Sequence, residues 1–273
     1  MPYITASDGA QIFYKDFGSG QPIIFSHGWP LCSDAWDLEL KLAAEAGYRA
    51  IAHDRRGHGR SSQTWDGNDM DTYAADVATL ADELGLDDII VVGHSTGGGE
   101  AVRFAAQHGQ GRVAKVATAG AIPPVMVKSE SNPDGTPIEA FDEIRAGILH
   151  DRSQFYKDLS APFYGANREG STISQGQRDD FWRQSMLAGL HQAYECVAVF
   201  SETDFTEDLK AIDVPMFIAH GEEDQIVPIA DAALKSVDLV KGATLKVYPG
   251  SPHGIAGSYQ EELDKDLFAF FRS

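Results

Sequence analysis

One stretch constrains the fold of this chain more than any other: residues 88–107, DIIVVGHSTGGGEAVRFAAQ. The apolar run at its start shows no alternation and reads as a strand buried on both faces, while the segment after it carries a helical period. Between them stands Gly93-His94-Ser95-Thr96-Gly97, a G-x-S-x-G frame backed by Gly98 and Gly99. A strand, a sharp turn and a helix in that order place a hydroxyl at the end of a strand, beside the free N–H groups of a helix start.

The same alternation runs along most of the chain. YITASDG and QIFYKDFGSG read as two antiparallel strands, and PIIFSHG as a buried one. AWDLELKLAAEAGY is apolar at helical spacing, RAIAHD is a short strand, and TYAADVATLADELGL is an amphipathic helix. KVATAGAI, VPMFIAHG and ATLKVYPG add three strands, and EELDKDLFAFF closes the chain as a helix. This predicts an α/β fold: a mostly parallel central sheet with helices on both faces. Residues 123–212 break the rhythm with helical patterns such as IEAFDEIRAGILH and no convincing strand. They are expected to form a helical lid inserted between strands, leaving residues 1–122 and 213–273 as the core. A lid belongs over the carboxyl ends of the strands, where open α/β sheets bind ligands.

Composition narrows the partners. With 22 Lys plus Arg against 41 Asp plus Glu, the formal charge is −19, which repels phosphate backbones and anionic lipid; no nucleic-acid partner is expected. The acidity is spread along the chain and reads as solubility. No apolar stretch is long enough to cross a bilayer, and MPYITASDGAQIFYKD lacks the pattern of a secretory signal, so the expectation is a cytoplasmic protein with no membrane partner. The two cysteines, Cys32 and Cys196, are far apart and suit neither a disulfide framework nor a thiolate metal site.

The glycine cluster fits neither of two phosphate-binding patterns. A dinucleotide fingerprint needs Gly where Val102 stands, and a phosphate loop needs a Lys that is absent. A serine in a packing turn remains open on the motif alone. A serine hydroxyl needs a base, and among nine histidines His253 is distinctive: SPHGIAG follows the last strand in a short loop before the closing helix. HGEEDQIVP puts Asp224 just beyond another strand, where a carboxylate can orient the imidazole; Glu222 and Glu223 are its local rivals. The order Ser95, Asp224, His253 is that of hydrolases built on a nucleophile elbow. Oxyanion donors are then expected at the N–H of Thr96, after the nucleophile, and the N–H of Trp29, in the loop after FSHGWP. His27-Gly28 shapes that loop, and DRRGHGRS, residues 54–61, takes a structural role.

FSHGWP, AHDRRGHGRS, GHSTGGGE, APFYG, SETDFTEDL, HGEEDQIVPI and SPHG together resemble the cofactor-free bacterial haloperoxidases, also called non-haem chloroperoxidases or perhydrolases, and their aryl esterase relatives in the α/β-hydrolase fold. The resemblance spans the whole chain; APFYG, SETDFTEDL and the WP step are narrow, whereas G-x-S-x-G and HG are widely shared. It implies Ser95 as nucleophile, His253 as general base and acid, Asp224 as orienting carboxylate, and Trp29 and Thr96 as backbone donors. Many esterase relatives carry Phe and Met where this chain has His94 and Thr96, so it is closer to the chloroperoxidase-named branch. Pocket residues by position are Ile122, Met126, Phe163 and Ile226, which serve equally well as ordinary core.

The chemistry so implied is acyl transfer. Ser95 attacks a small ester or carboxylic acid; water then gives hydrolysis and hydrogen peroxide gives a peracid, which oxidises halide without haem, metal or flavin. No cofactor is expected, and no c-type haem motif, metal-ligand spacing or flavin fingerprint occurs. Pro30 holds Trp29 extended, and the Trp29 carbonyl is expected to accept a hydrogen bond from peroxide, so that Pro30→Leu lowers the ratio of perhydrolysis to hydrolysis. The resemblance also admits a homo-oligomer. Ser at position 95 excludes an aspartate-nucleophile dehalogenase or epoxide hydrolase. A hydrolase of lactams or thioesters, a carbon–carbon hydrolase, and a ligand receptor on the same scaffold remain open.

Overall fold

The computed structural model describes residues 2–255 and 259–273. Its centre is an eight-stranded sheet in the order β1-β2-β4-β3-β5-β6-β7-β8. The strands are β1 (Tyr3–Thr5), β2 (Gln11–Gly18), β3 (Pro22–Ser26), β4 (Arg49–His53), β5 (Ile89–His94), β6 (Val113–Ala119), β7 (Met216–Gly221) and β8 (Thr244–Tyr248). β1 and β2 pair antiparallel, as does β2 with β4, and every pairing from β4 to β8 is parallel. The parallel sheet with helices on both faces agrees with the sequence expectation.

The apolar run in β5 follows from its burial on two sides. Side chains alternate across a strand. Ile89 and Val91 pack with Tyr73, Val77 and Leu80 of α2 (Met70–Glu83) and Val102 of α3 (Thr96–Gln107). Ile90 and Val92 pack on the opposite face with Leu40 of α1 (Asp37–Glu45) and Leu263 and Leu267 of α9 (Gln260–Arg272). All four β5 side chains are fully buried. Local signals set the helix starts: the Asp69 side chain accepts from Thr72 N at 2.8 Å to cap α2.

Between β6 and β7 lie α4 (Ile138–Tyr164), α5 (Gln175–Ser185), α6 (Leu190–Glu202) and α7 (Thr206–Ala211). The stretch is helical as expected, apart from an isolated bridge between Val127 and Thr136. α4 is two helices joined at Asp151, whose φ of −156° and ψ of 85° are non-helical, and it stops at Gly165 in the left-handed region (φ 67°). α4 and α6 reach over the carboxyl ends of the strands with side chains that line the cavity described below. α7 lies instead against α3, tied by Arg103 Nε donating to Asp208 Oδ2 at 2.7 Å. A further helix, α8 (Ala233–Leu239), lies between β7 and β8 and packs Ala233, Val237 and the following Val240, at helical spacing, into the core. No described helix is long and apolar enough to cross a membrane.

Candidate active site

β5 ends at His94, and the chain reverses into α3 through Ser95, whose φ of 54° and ψ of −122° lie where non-glycine residues are rarely found. Such a conformation persists only when its surroundings over-determine it. Here they do: Ser95 N donates to Ala119 O at 3.0 Å, and Ser95 O accepts from Gly98 N at 2.9 Å. The strain therefore sits on the serine. The glycines around it supply room: a Cβ on Gly93 would strike the Gly97 carbonyl, and a Cβ on Gly97 would strike the carbonyl oxygens of Ser26 and His27. Neither has a positive φ. Turn and helix start pack onto the end of β3 at backbone distance.

The loops after β7 and β8 bring Asp224 and His253 together. His253 Nδ1 and Asp224 Oδ2 are 2.7 Å apart with both side chains fully buried. Asp224 Oδ1 accepts from the N–H groups of Ile226 and Val227, each at 2.8 Å. Burial alone would raise the Asp224 carboxyl, but the adjoining His253 and the hydrogen bonds from His220 and His253 outweigh it and hold the carboxyl well below the usual range. Facing a carboxylate, Nδ1 carries the imidazole proton and Nε2 is left bare; that atom is buried and has no hydrogen-bond partner among the described residues. The hydrogen bond from Ser95 to Nε2 is not made in this geometry, and bonds of this kind tighten when substrate is bound.

Two histidines that look incidental in the sequence hold this pair. His94 Nε2 donates to the His253 carbonyl at 3.1 Å, and burial, with His253 beside it, lowers the His94 ring to about 3, so it stays neutral. His220 Nε2 lies 2.9 Å from Val227 O and 3.3 Å from Asp224 Oδ2. From α4, the Phe163 ring meets the His253 ring edge-on at 4.8 Å, and Gly254 N donates to the Phe163 carbonyl at 2.8 Å. Only contacts made after folding distinguish these side chains from the other histidines; both stand at strand ends beside glycine, which is the one signal the sequence offers.

Thr96 is the first residue of α3, so its N–H has no intrahelical acceptor. It stands with Trp29 and Ser95 in the wall of a cavity of about 240 Å³. Ile122, Met126, Phe163 and Ile226 line the same cavity. Pro30 does not: it is buried and absent from the wall. Phe141, Ile144 and Leu159 of α4 and Phe200 of α6 add to the apolar surface, and the sequence does not single them out. Their helical spacing marks them as apolar but not which way α4 would face. A larger cavity of about 420 Å³ lies beyond Phe163 and His94, but neither Ser95, Asp224 nor His253 lines it. The smaller one, whose wall includes Ser95, is the candidate site.

The α/β hydrolase fold profile matches residues 21–256 of the chain. The chain belongs to the α/β-hydrolase fold family. Within that family it is 57% identical to a non-haem haloperoxidase of Rhodococcus erythropolis and 50% identical to a bifunctional esterase/perhydrolase of Acinetobacter calcoaceticus, in each case over 100% of both chains. Among solved α/β-hydrolase structures, a bromoperoxidase from Bacillus anthracis superposes with a TM-score of 0.95 at 32% identity, covering 100% of both chains. The α/β-hydrolase core also explains DRRGHGRS. Asp54 accepts from Ser33 N at 2.8 Å and from Arg60 Nε at 2.7 Å, tying this loop to the turn that follows Trp29.

Proposed function

We propose that the protein is a serine esterase that works through an acyl-enzyme on small carboxylic esters, and that it also forms peracids from carboxylic acid and hydrogen peroxide. The observation that carries this reading is the strained Ser95 in the wall of an apolar cavity, with a carboxylate-bound imidazole in the neighbouring strand loops. Ser95 Oγ attacks the acyl carbon as His253 Nε2 takes its proton. The oxyanion forms against the N–H groups of Trp29 and Thr96, and the leaving group, the alcohol of an ester or water from a free acid, departs with the proton from His253. Water then adds to the acyl-enzyme and releases the acid, or hydrogen peroxide adds and releases the peracid, with Ser95 regaining its proton each time. The cavity, at about 240 Å³, lies just below the roughly 300–1,000 Å³ common for small-molecule sites, which favours short acyl groups.

Relatives named as haloperoxidases and as an esterase/perhydrolase support the peroxide branch. Peracid released from the site then oxidises bromide or chloride in solution. The test is hydrolysis of p-nitrophenyl acetate by the wild type and by Ser95→Ala, followed by bromide oxidation in acetate buffer with hydrogen peroxide. Both activities are expected to vanish together in the variant while its circular dichroism is retained. Bromide oxidation surviving in Ser95→Ala would refute the shared acyl-enzyme.

A further inference from the structure

Arg55 and Glu100 are buried charges that the proposed reaction does not use. Arg55 is 1% exposed and Glu100 is fully buried. Arg55 Nη2 and Nε donate to Glu100 Oε2 at 2.5 and 3.1 Å, and His53 Nε2 lies 3.0 Å from Glu100 Oε1. Burial would raise the Glu100 carboxyl, but Arg55 and His53 outweigh that and bring it down to about 2. A buried pair of this kind is a weak source of stability, because desolvating both ions offsets most of their attraction. Its geometry suggests a different use.

Glu100 stands on the first turns of α3, the helix that begins with Thr96. Arg55 Nη2 also donates to the His27 carbonyl, at 2.7 Å, in the loop that leads to Trp29. One guanidinium thus bonds to both elements that present the proposed oxyanion donors. Its own backbone N–H donates to His27 Nε2 at 2.9 Å. That bond leaves Nε2 without a proton, so Nδ1 carries it and donates to the Gly28 carbonyl at 2.9 Å. Gly28 O also accepts from Leu31 N at 2.9 Å. In a planar trans peptide C=O and N–H point in opposite directions, so pinning the Gly28 carbonyl from two sides aims the Trp29 N–H the other way. The two elements meet without side chains between them where Gly97 packs on the carbonyls of Ser26 and His27.

We propose that Arg55 is a positioning residue that fixes the separation and aim of the two oxyanion donors, joining α3 through Glu100 to the Trp29 peptide through His27. This rests on the reading of Trp29 and Thr96 as the donors to the acyl oxygen. Nη2 alone bridges the Glu100 carboxylate and the His27 carbonyl, and Nε adds a second bond to Glu100; a lysine ammonium, one nitrogen on a flexible stem, cannot keep all three bonds at fixed angles. The role therefore depends on arginine itself and not on its charge.

The experiment compares wild type, Arg55→Lys and Glu100→Gln, with Ser95→Ala as control, by steady-state hydrolysis of p-nitrophenyl acetate, affinity for phenylboronic acid, and thermal unfolding. The boronate forms a tetrahedral adduct on a serine nucleophile and puts an oxygen where the oxyanion would sit. The expected result is a fall in kcat of about 10- to 100-fold with KM within twofold, and a matching loss of boronate affinity. Should Arg55→Lys fail to fold, Glu100→Gln, which keeps the size of the side chain, carries the same expectation. The proposal is overturned by kcat and boronate affinity within twofold of wild type, by a rise in KM alone, or by a loss of activity that merely follows the unfolded fraction while boronate affinity per folded molecule is unchanged. Activity retained in Ser95→Ala would instead remove the underlying esterase reading, an outcome distinct from these.

Discussion

Asp224 faces His253 across 2.7 Å with one carboxylate oxygen, while its other oxygen is held by the backbone N–H groups of Ile226 and Val227. The two oxygens are therefore not interchangeable. In Asp224→Asn the amide oxygen must take the place that receives two N–H donors, which turns the amide NH₂ toward His253 Nδ1. The imidazole is then forced into the opposite tautomer, with its proton on Nε2, where it cannot accept one from Ser95. We expect kcat for p-nitrophenyl acetate to fall about 10⁴-fold with the melting temperature little changed. A fall of less than about tenfold would show that the imidazole does not depend on this carboxylate.

Gly28 stands against Ser95, the proposed nucleophile. A Cβ there would lie 2.8 Å from His94 Nδ1, closer than real Cβ contacts come, and 3.0 Å from Ser95 Cβ, tighter than nearly all of them. In Gly28→Ala something must shift, and both contacted residues belong to the strained turn. Displacing a reacting group by about 1 Å costs on the order of 10² in rate, so kcat is expected to drop by about that factor. Gly9→Ala serves as the comparison, since nothing lies within 4 Å of a Cβ at that position although its φ is positive (89°). Equal losses of activity in the two variants would contradict a specific effect at Ser95.

The sheet and the order Ser95, Asp224, His253 are legible because they rest on local signals: unbroken apolar strands, glycines at a turn, and single chemical residues in loops after strands. What escapes the sequence is whatever depends on how distant segments meet. His94 and His220 gain their partners, His253 O and Val227 O, only when the strand ends come side by side. Phe141 and Ile144 repeat at a helical spacing that fits core as well as cavity, and the kink at Asp151 that aims α4 has no proline or glycine at that residue to announce it. Pro30, expected to act on the substrate through the backbone of Trp29, is itself outside the cavity wall, one residue further along the loop.

Glu39 offers a pH-dependent stability that does not involve the site. It is 2% exposed on α1, and its carboxyl is raised to about 7 by burial and by the nearby Asp264, against the hydrogen bond from Gln260 Nε2 at 2.7 Å. A carboxyl whose pKa is higher folded than unfolded favours the folded state while it is protonated. Its contribution is present below the ordinary Glu value of about 4.3 and is lost as pH rises toward the folded value. A tenfold difference in proton affinity between the folded and unfolded chains is worth about 1.4 kcal/mol, so the loss between about pH 4 and pH 8 amounts to roughly 3 kcal/mol. Glu39→Gln removes that loss. Its melting temperature relative to wild type should therefore be higher at about pH 8 than at about pH 4.5, and a difference independent of pH would contradict the assignment.

The cavity wall predicts acyl-chain preference. Ile144 projects from α4 into a space of about 240 Å³ that also meets Ser95, so it limits how far an acyl chain extends from the nucleophile. Ile144 is half-buried, and trimming it to alanine should disturb the core less than a change at the buried Phe141. A methylene gained or lost in an apolar pocket changes discrimination by about 1–3 kcal/mol. We expect Ile144→Ala to raise kcat/KM for p-nitrophenyl hexanoate relative to the acetate by about tenfold, with Ile144→Val between variant and wild type. The gain should appear for the longer ester alone, because an acetyl group on Ser95 is too short to depend on the room that trimming Ile144 opens. If both esters respond equally, the chain leaves the site by another path, and Ile144 acts on the position of α4 rather than on the substrate.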